Sequence, residues 1–203
     1  MLATQVSQVG IARVGIFPLA SGSLSRSTAA TGVALLVTGP VYRMGAGAVG
    51  VLALIGVVSL LTTPAAGRLI DRHGPDLVNV CCIAGAVAAA GVLAAGASGG
   101  RWGLAGLVAG LVLLDVAVQG NQVANQARIL ALRPEARSRL NTAYMTCSFL
   151  AGSAGSALGV RVFSHGGWAA TCALIATAAA LPLAAHLLFF RHTGVTAAED
   201  ALL

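Results

Sequence analysis

The sequence predicts an all-α, polytopic membrane protein of six transmembrane helices, five of them clear and the first imperfect. Three observations carry this. Of 203 residues, 57% are hydrophobic and only 9% charged, far below the roughly 25% charge with which a soluble domain covers its surface. The apolar residues come in blocks near the ~20 residues that an α-helix needs to cross a bilayer. The 12 basic residues are all Arg, and most sit in short polar breaks between the blocks. Other classes fall away. Disordered chains are poor in apolar residues, and the Cys residues lack the spacing of a disulfide scaffold. The net charge of +6 is spread along the chain, whereas a nucleic-acid binder clusters its Arg on one soluble face. Met1 to Gly10 has no basic segment leading into an apolar core, so it does not read as a signal peptide.

The spans follow in order. Residues 1–14 form a tail foreign to the pattern. The first span covers 15–41, with Arg26 and several Ser inside it. Only 13 residues separate Arg26 from Pro40 and 12 separate Arg13 from Arg26. Neither piece crosses ~30 Å of hydrocarbon at about 1.5 Å per residue. The helix must therefore carry Arg26 within it. The remaining spans are 46–66, 77–97, 103–132, 140–163 and 168–190, and 192–203 is a cytoplasmic tail. Pro64 and Pro182 mark helix ends or kinks, which membranes tolerate.

Orientation follows from Arg in short loops. One side holds Arg68, Arg72, Arg128, Arg133, Arg137, Arg139 and Arg191; the other holds Arg43, Arg101 and Arg161. The first group marks the cytoplasm and places both termini there. Tyr42, Trp102 and Trp168 then fall at the outer interface, where amphipathic aromatics are favoured.

Three constellations stand out. In Gly67-Arg68-Leu69-Ile70-Asp71-Arg72-His73-Gly74, two glycines bracket what reads as a tight turn around an Asp–Arg pair. A polar loop that obeys the positive-inside rule has the same appearance. In the fourth span, Gln119, Gln122 and Gln126 fall within about 40° of Asp115 on a helical wheel. Asn121, Asn125 and Arg128 form a second strip. An acid at mid-membrane is costly and must face a cavity or a partner. Asp115 is thus a candidate protonation or cation site, with Gln119, Gln122, Asn125 and Gln126 as cavity contacts. The amides equally suit interhelical hydrogen bonding. Third, Ser148-x-x-x-Gly152-x-x-x-Ser156 and Gly155-x-x-x-Gly159 space small residues four apart, which lets helices approach closely.

Other features read as inert. Cys81, Cys82, Cys147 and Cys172 are expected as small apolar residues. His186 reads as interfacial. Metal-ligand spacing is absent from the sequence, and no cofactor is expected. Gly96-Ala-Ser-Gly99 has the Gly-x-Ser-Gly shape of an intramembrane protease, but Ser98 falls in a loop beside Arg101, so the chain is not expected to be an enzyme.

The stretch Gly67-x-Leu69-x-Asp71-Arg72-x-Gly74 resembles motif A of the major facilitator superfamily, which joins the second and third helices of each six-helix half. Leu114 to Gln126 and Leu132 to Asn141 resemble the C-terminal half of bacterial efflux-type permeases. The resemblance covers about Thr31 to Arg191. It implies one half of a facilitator-type bundle, helices 7 to 12, built as an inverted 3+3 repeat. It further implies a cytoplasmic gating loop of Gly67, Asp71, Arg72, Gly74, Arg137 and Arg139, and a fourth helix that lines the central cavity.

The expected function is transport of a small molecule by a proton-coupled efflux transporter of the bacterial cytoplasmic membrane, present as a truncated half. Its expected partners are the lipid bilayer, protons, an unknown small substrate, and a second half-transporter or another copy of the chain; no nucleic acid is expected. The alternative is a non-transporting membrane interaction subunit or an inactive fragment. The Ser- and Arg-rich residues before Thr31 look like the product of a shifted frame. The genomic locus checks this: an upstream open frame that encodes six further spans in another phase supports truncation, and a clean intergenic gap removes it.

Overall fold

The computed structural model describes residues 17–132 and 136–200; within these, the side chains of 17, 55, 57–61, 131–132 and 186–200 lie outside the description. The chain is a bundle of helices: α1 (Phe17–Thr38), α2 (Ala46–His73), α3 (Pro75–Ala94), a 3-10 turn (Ala95–Ser98) and α4 (Gly100–Leu132). The last helical stretch, Arg137–Asp200, breaks at Gly167, where φ is 63° and ψ −158°. Its two arms, 137–166 and 168–200, are α5 and α6 below. Among the described residues, three stretches are long and apolar enough to cross a membrane: Pro75–Ser98, Gly100–Leu130 and Arg137–Ala185. The third has 49 residues, well beyond the ~20 of a single crossing. The tail 1–14 lies outside the described residues.

Connections are short where the local chemistry forces a stop. Between α2 and α3 the only non-helical residue is Gly74, with φ 80°. Gly is the residue that takes this conformation without strain, and Pro75 then opens α3 with its fixed φ. The expected turn over 67–74 therefore shrinks to one residue. Gly67, Asp71 and Arg72 belong to α2 itself, because Leu69 and Ile70 continue the helix until Gly74 breaks it.

α1 is a complete, packed helix, in contrast to its reading as a damaged span. Its apolar residues Ala29, Val33, Leu36 and Val37 join a core with Ala89, Ala90 and Leu93 of α3, Leu107 and Leu114 of α4, and Trp168 and Ile175 of α6. Several of its polar residues touch α5. Ser23 and Ser148 hydroxyls meet at 2.7 Å, and Thr28 Oγ1 donates to the Gly155 carbonyl at 3.0 Å. A Cβ on Gly155 would lie 2.9 Å from Leu24 Cα, one on Gly152 3.1 Å from Ser27 Oγ, and one on Gly159 3.3 Å from Thr28 Cα. Small residues on α5 thus let the two backbones touch, and the hydroxyls of α1 take carbonyl and hydroxyl partners across the gap. Ser156, on the same helix, is half-buried.

The opposite end is fastened by aromatics. Tyr42, between α1 and α2, donates to the Gly96 carbonyl at 2.9 Å. Burial pushes its phenol above the ordinary value, which keeps the donor protonated. Trp168 Nε1 donates to the Leu93 carbonyl at 2.9 Å. Trp168 is only 6% exposed, so its ring packs into the core. Trp102 is 76% exposed, with Arg101 over its ring. Cys172 is buried as expected, whereas Cys81 faces outward.

Two substitutions check the α1–α5 contact. Gly155→Val forces the backbones apart and should cost about 1–3 kcal/mol, the usual range for overpacking, read as a lower melting temperature in detergent. Gly67→Ala meets open space and should leave that temperature unchanged or slightly raised.

Candidate functional site

Asp115 lies near the middle of α4 and Arg26 near the middle of α1. Arg26 Nε contacts Asp115 Oδ1 at 2.9 Å, with the carboxylate side chain 14% exposed and the arginine 40%. Gly56 of α2 faces both: a Cβ there would lie 3.7 Å from Asp115 Oδ2 and 3.9 Å from Arg26 Nη2. Three helices therefore meet at this pair. Charged groups at such a depth persist when they pair with one another. The residue that seemed to spoil the first span is the partner of the acid that seemed unexplained. Arg26 was the lone charge inside the first span and Asp115 the lone acid inside the fourth, and opposite sign was the one clue to their pairing.

The remaining candidates on α4 divide between two neighbours. Toward α5, Gln126 Nε2 donates to Asn141 Oδ1 at 2.7 Å. Tyr144 donates to the backbone carbonyl of Gln122 at 2.9 Å, and Leu19 and Ile129 pack beside Tyr144. Gln119 and the Gln122 side chain are half-buried. The Asp115–Gln126 stripe thus spans from the ion pair to a polar fastening with α5. Toward α3, Asn125 Nδ2 donates to Asn121 Oδ1 and faces Asn79 Oδ1 at 3.4 Å. One turn away, Arg128 Nη1 contacts Asp76 Oδ1 at 2.7 Å. Asp76 sits in the first turn of α3, where a carboxylate also favours the helix dipole.

The expected gating residues are dispersed by comparison. Asp71 and Arg72 are exposed on the last turn of α2. Arg137 and Arg139 are exposed at the start of α5, with Arg137 Nε donating to the Leu130 carbonyl at 3.4 Å. Sequence reasoning placed the polar partner of this end in Asp71; the ion pair in the described residues is made by Asp76. Asn79 escaped notice as a single amide within an apolar block.

No protein-family model matches the chain, and no solved structure does. Similarity to curated proteins is partial. The chain is 40% identical over 84 residues to the uncharacterized transporter YgaY of Escherichia coli, a match that covers 41% of this chain and 21% of the relative. It is 37% identical over 145 residues to SCO4007 of Streptomyces coelicolor, named a probable transporter, which covers 71% of this chain and 33% of the relative. The chain thus spans a fifth to a third of the length of these relatives. With its apolar helices, it is a helical membrane protein similar to proteins named as transporters.

A double-mutant cycle measures the pair. Asp115→Asn and Arg26→Gln should each lower thermal stability in detergent, because each leaves a lone charge in the bundle. The double variant should lose less than the sum, with a coupling of about 0.5–3 kcal/mol, as expected for residues in contact. Additive losses would show that the pair carries no energy.

Proposed function

We propose that this chain is one half of a facilitator-type secondary transporter, with α1 to α6 as six membrane spans arranged as an inverted 3+3 repeat. The observation that carries the reading is the Arg26–Asp115 pair, held where three helices meet inside an apolar bundle. A purely structural helix contact has no need of charges there, because small residues and amides pack helices at lower cost. Similarity to proteins named as transporters supports the same reading.

In this mechanism the two halves rock about a midplane site. Asp115 is the group that takes up and releases the coupling proton. While it is ionised it holds Arg26; once neutral it holds the guanidinium less strongly, so α1, α2 and α4 have two energetically distinct arrangements. Gln119, Gln122 and Gln126 supply hydrogen-bonding groups along the same helix, while Asn125 turns to α3. Proton entry then drives efflux of a small molecule across the bacterial cytoplasmic membrane, with both termini on the cytoplasmic side. A second half-transporter or another copy of the chain completes the substrate path, and lipid surrounds the bundle. Gly74 and the exposed Arg72, Arg137 and Arg139 form the cytoplasmic gate.

The experiment uses sealed vesicles that contain the protein, a pH-sensitive dye in the lumen and an imposed proton gradient. Small molecules are added in turn. At least one should evoke proton movement, and Asp115→Asn should abolish that response while the protein remains in the membrane. Vesicles that stay silent with the wild type throughout would sink the transport reading and favour an interaction subunit.

A further inference from the structure

The second polar strip of α4 faces α3 and takes no part in the proposed proton site. Asn79 is 1% exposed, Asn121 6% and Asn125 0%. Asn125 sits between the other two amides, through its Nδ2 to both of their oxygens. Among the amides this leaves two buried atoms without a hydrogen-bond partner, Asn79 Nδ2 and Asn125 Oδ1, and at the end of the same seam the buried Arg128 Nη1 has no hydrogen bond beyond its ion contact with Asp76. Which end of an amide is oxygen is an assignment, so the alternative must be checked. If all three amides are turned, Asn125 Oδ1 accepts from Asn79 and Asn121. The atoms then left over are Asn125 Nδ2 and Asn79 Oδ1. Either way, one donor and one acceptor remain on the same two residues.

An orphaned polar atom in a buried site costs about 1–3 kcal/mol, and the membrane offers no solvent to relieve it. A single ligand that serves both amides accepts from one and donates to the other. A cation cannot accept, and an anion cannot donate. Water does both, and buried waters commonly hold polar groups in this way. Arg128, one turn further along α4, brings a guanidinium with five N–H donors to the same seam, and its contact to Asp76 Oδ1 places a second charge at the seam's end. Beyond the amides the α3–α4 contact is closed and apolar, with Ala86, Ala89, Ala90 and Leu93 of α3 against Leu107, Leu114 and Ala117 of α4.

We propose that Asn79 and Asn125 form an internal water site between α3 and α4, reached along the Asp76–Arg128 end of the seam. The site stands apart from the transport reading, since it lies on the opposite strip of α4 from Asp115.

Pulsed X-ray footprinting tests it, because hydroxyl radicals arise from water and oxidise the side chains beside it. Two native thiols serve as reporters. Cys82 is one turn beyond Asn79 and close to Gly120, whose added Cβ would lie 2.7 Å from its sulfur. Cys172 is buried in the apolar core and serves as the dry reference. In wild-type protein in native vesicles, Cys82 should oxidise several-fold faster than Cys172. In the Asn79→Leu/Asn125→Leu double variant, Cys82 should fall to the Cys172 rate, with helicity and membrane insertion unchanged. Equal rates for the two thiols in the wild type overturn the proposal, and so does a rate for Cys82 that survives in the double variant. Cys82 is itself half-buried, so the change at Cys82 between wild type and variant decides, and Asn79→Ala takes the place of the double variant if that fails to insert.

Discussion

A guanidinium within an apolar bundle needs an anion beside it, and the arrangement of α1, α2 and α4 follows from meeting that need. Arg26 cannot move to either end of α1, since the helix is fixed along α5 by the Ser23–Ser148 and Thr28–Gly155 contacts. Asp115 is likewise held by a helix whose two ends are tied elsewhere. The 2.9 Å separation therefore results from packing on both sides and in turn sets how closely α1 and α4 approach. Gly56 keeps α2 from intruding. Removing Arg26 leaves the largely buried Asp115 carboxylate, 14% exposed, without its counter-charge, the more expensive outcome for such a pair. A charge in such a place is conditional: stable in one arrangement and costly in the next.

Glycine and hydroxyl residues do on α1 and α5 what large apolar residues do in a soluble core. Lipid tails are as apolar as Leu, so helices gain little by burying Leu against one another and more by close backbone contact. The Gly155 carbonyl at Thr28 and the near-contact of Gly155 with Leu24 show this directly. At the other end, Tyr42 and Trp168 reach carbonyls at the close of α3, where a helix has unsatisfied acceptors. The bundle is thus held by polar fastenings around a core of Ala, Val and Leu, with the Arg26–Asp115 pair at mid-helix.

The class of the molecule was legible because composition alone excludes other solvents: few charges and long apolar blocks leave only the bilayer. The two polar strips of α4 were legible from the 100° step of a helix, and the structure directs Gln126 and Asn125 to different neighbours. Partner choice was not legible. Nothing local to Arg26 points to Asp115, since only tertiary proximity joins them. The stretch 67–74 misled for a local reason: two glycines and an Asp–Arg pair look like a turn, yet Leu69 and Ile70 carry the helix on and only Gly74, backed by Pro75, stops it. Burial of Trp168 was not legible either: its place at the end of a span says nothing of the Leu93 carbonyl to which its N–H donates in the core.

The single-residue link at Gly74 has a mechanical consequence. Neighbouring Cα atoms are about 3.8 Å apart, so the facing ends of α2 and α3 are tethered with no slack. Any sideways travel of α2 at that end must drag α3 along, as a rod drags another through a pin joint. The link between α1 and α2 runs from 39 to 45 and is free of helix, so it acts as a loose cord. The bundle's moving parts are therefore unequal: α2 and α3 travel together at the Gly74 end, while α1 is tied to α2 by that cord and is otherwise held along α5.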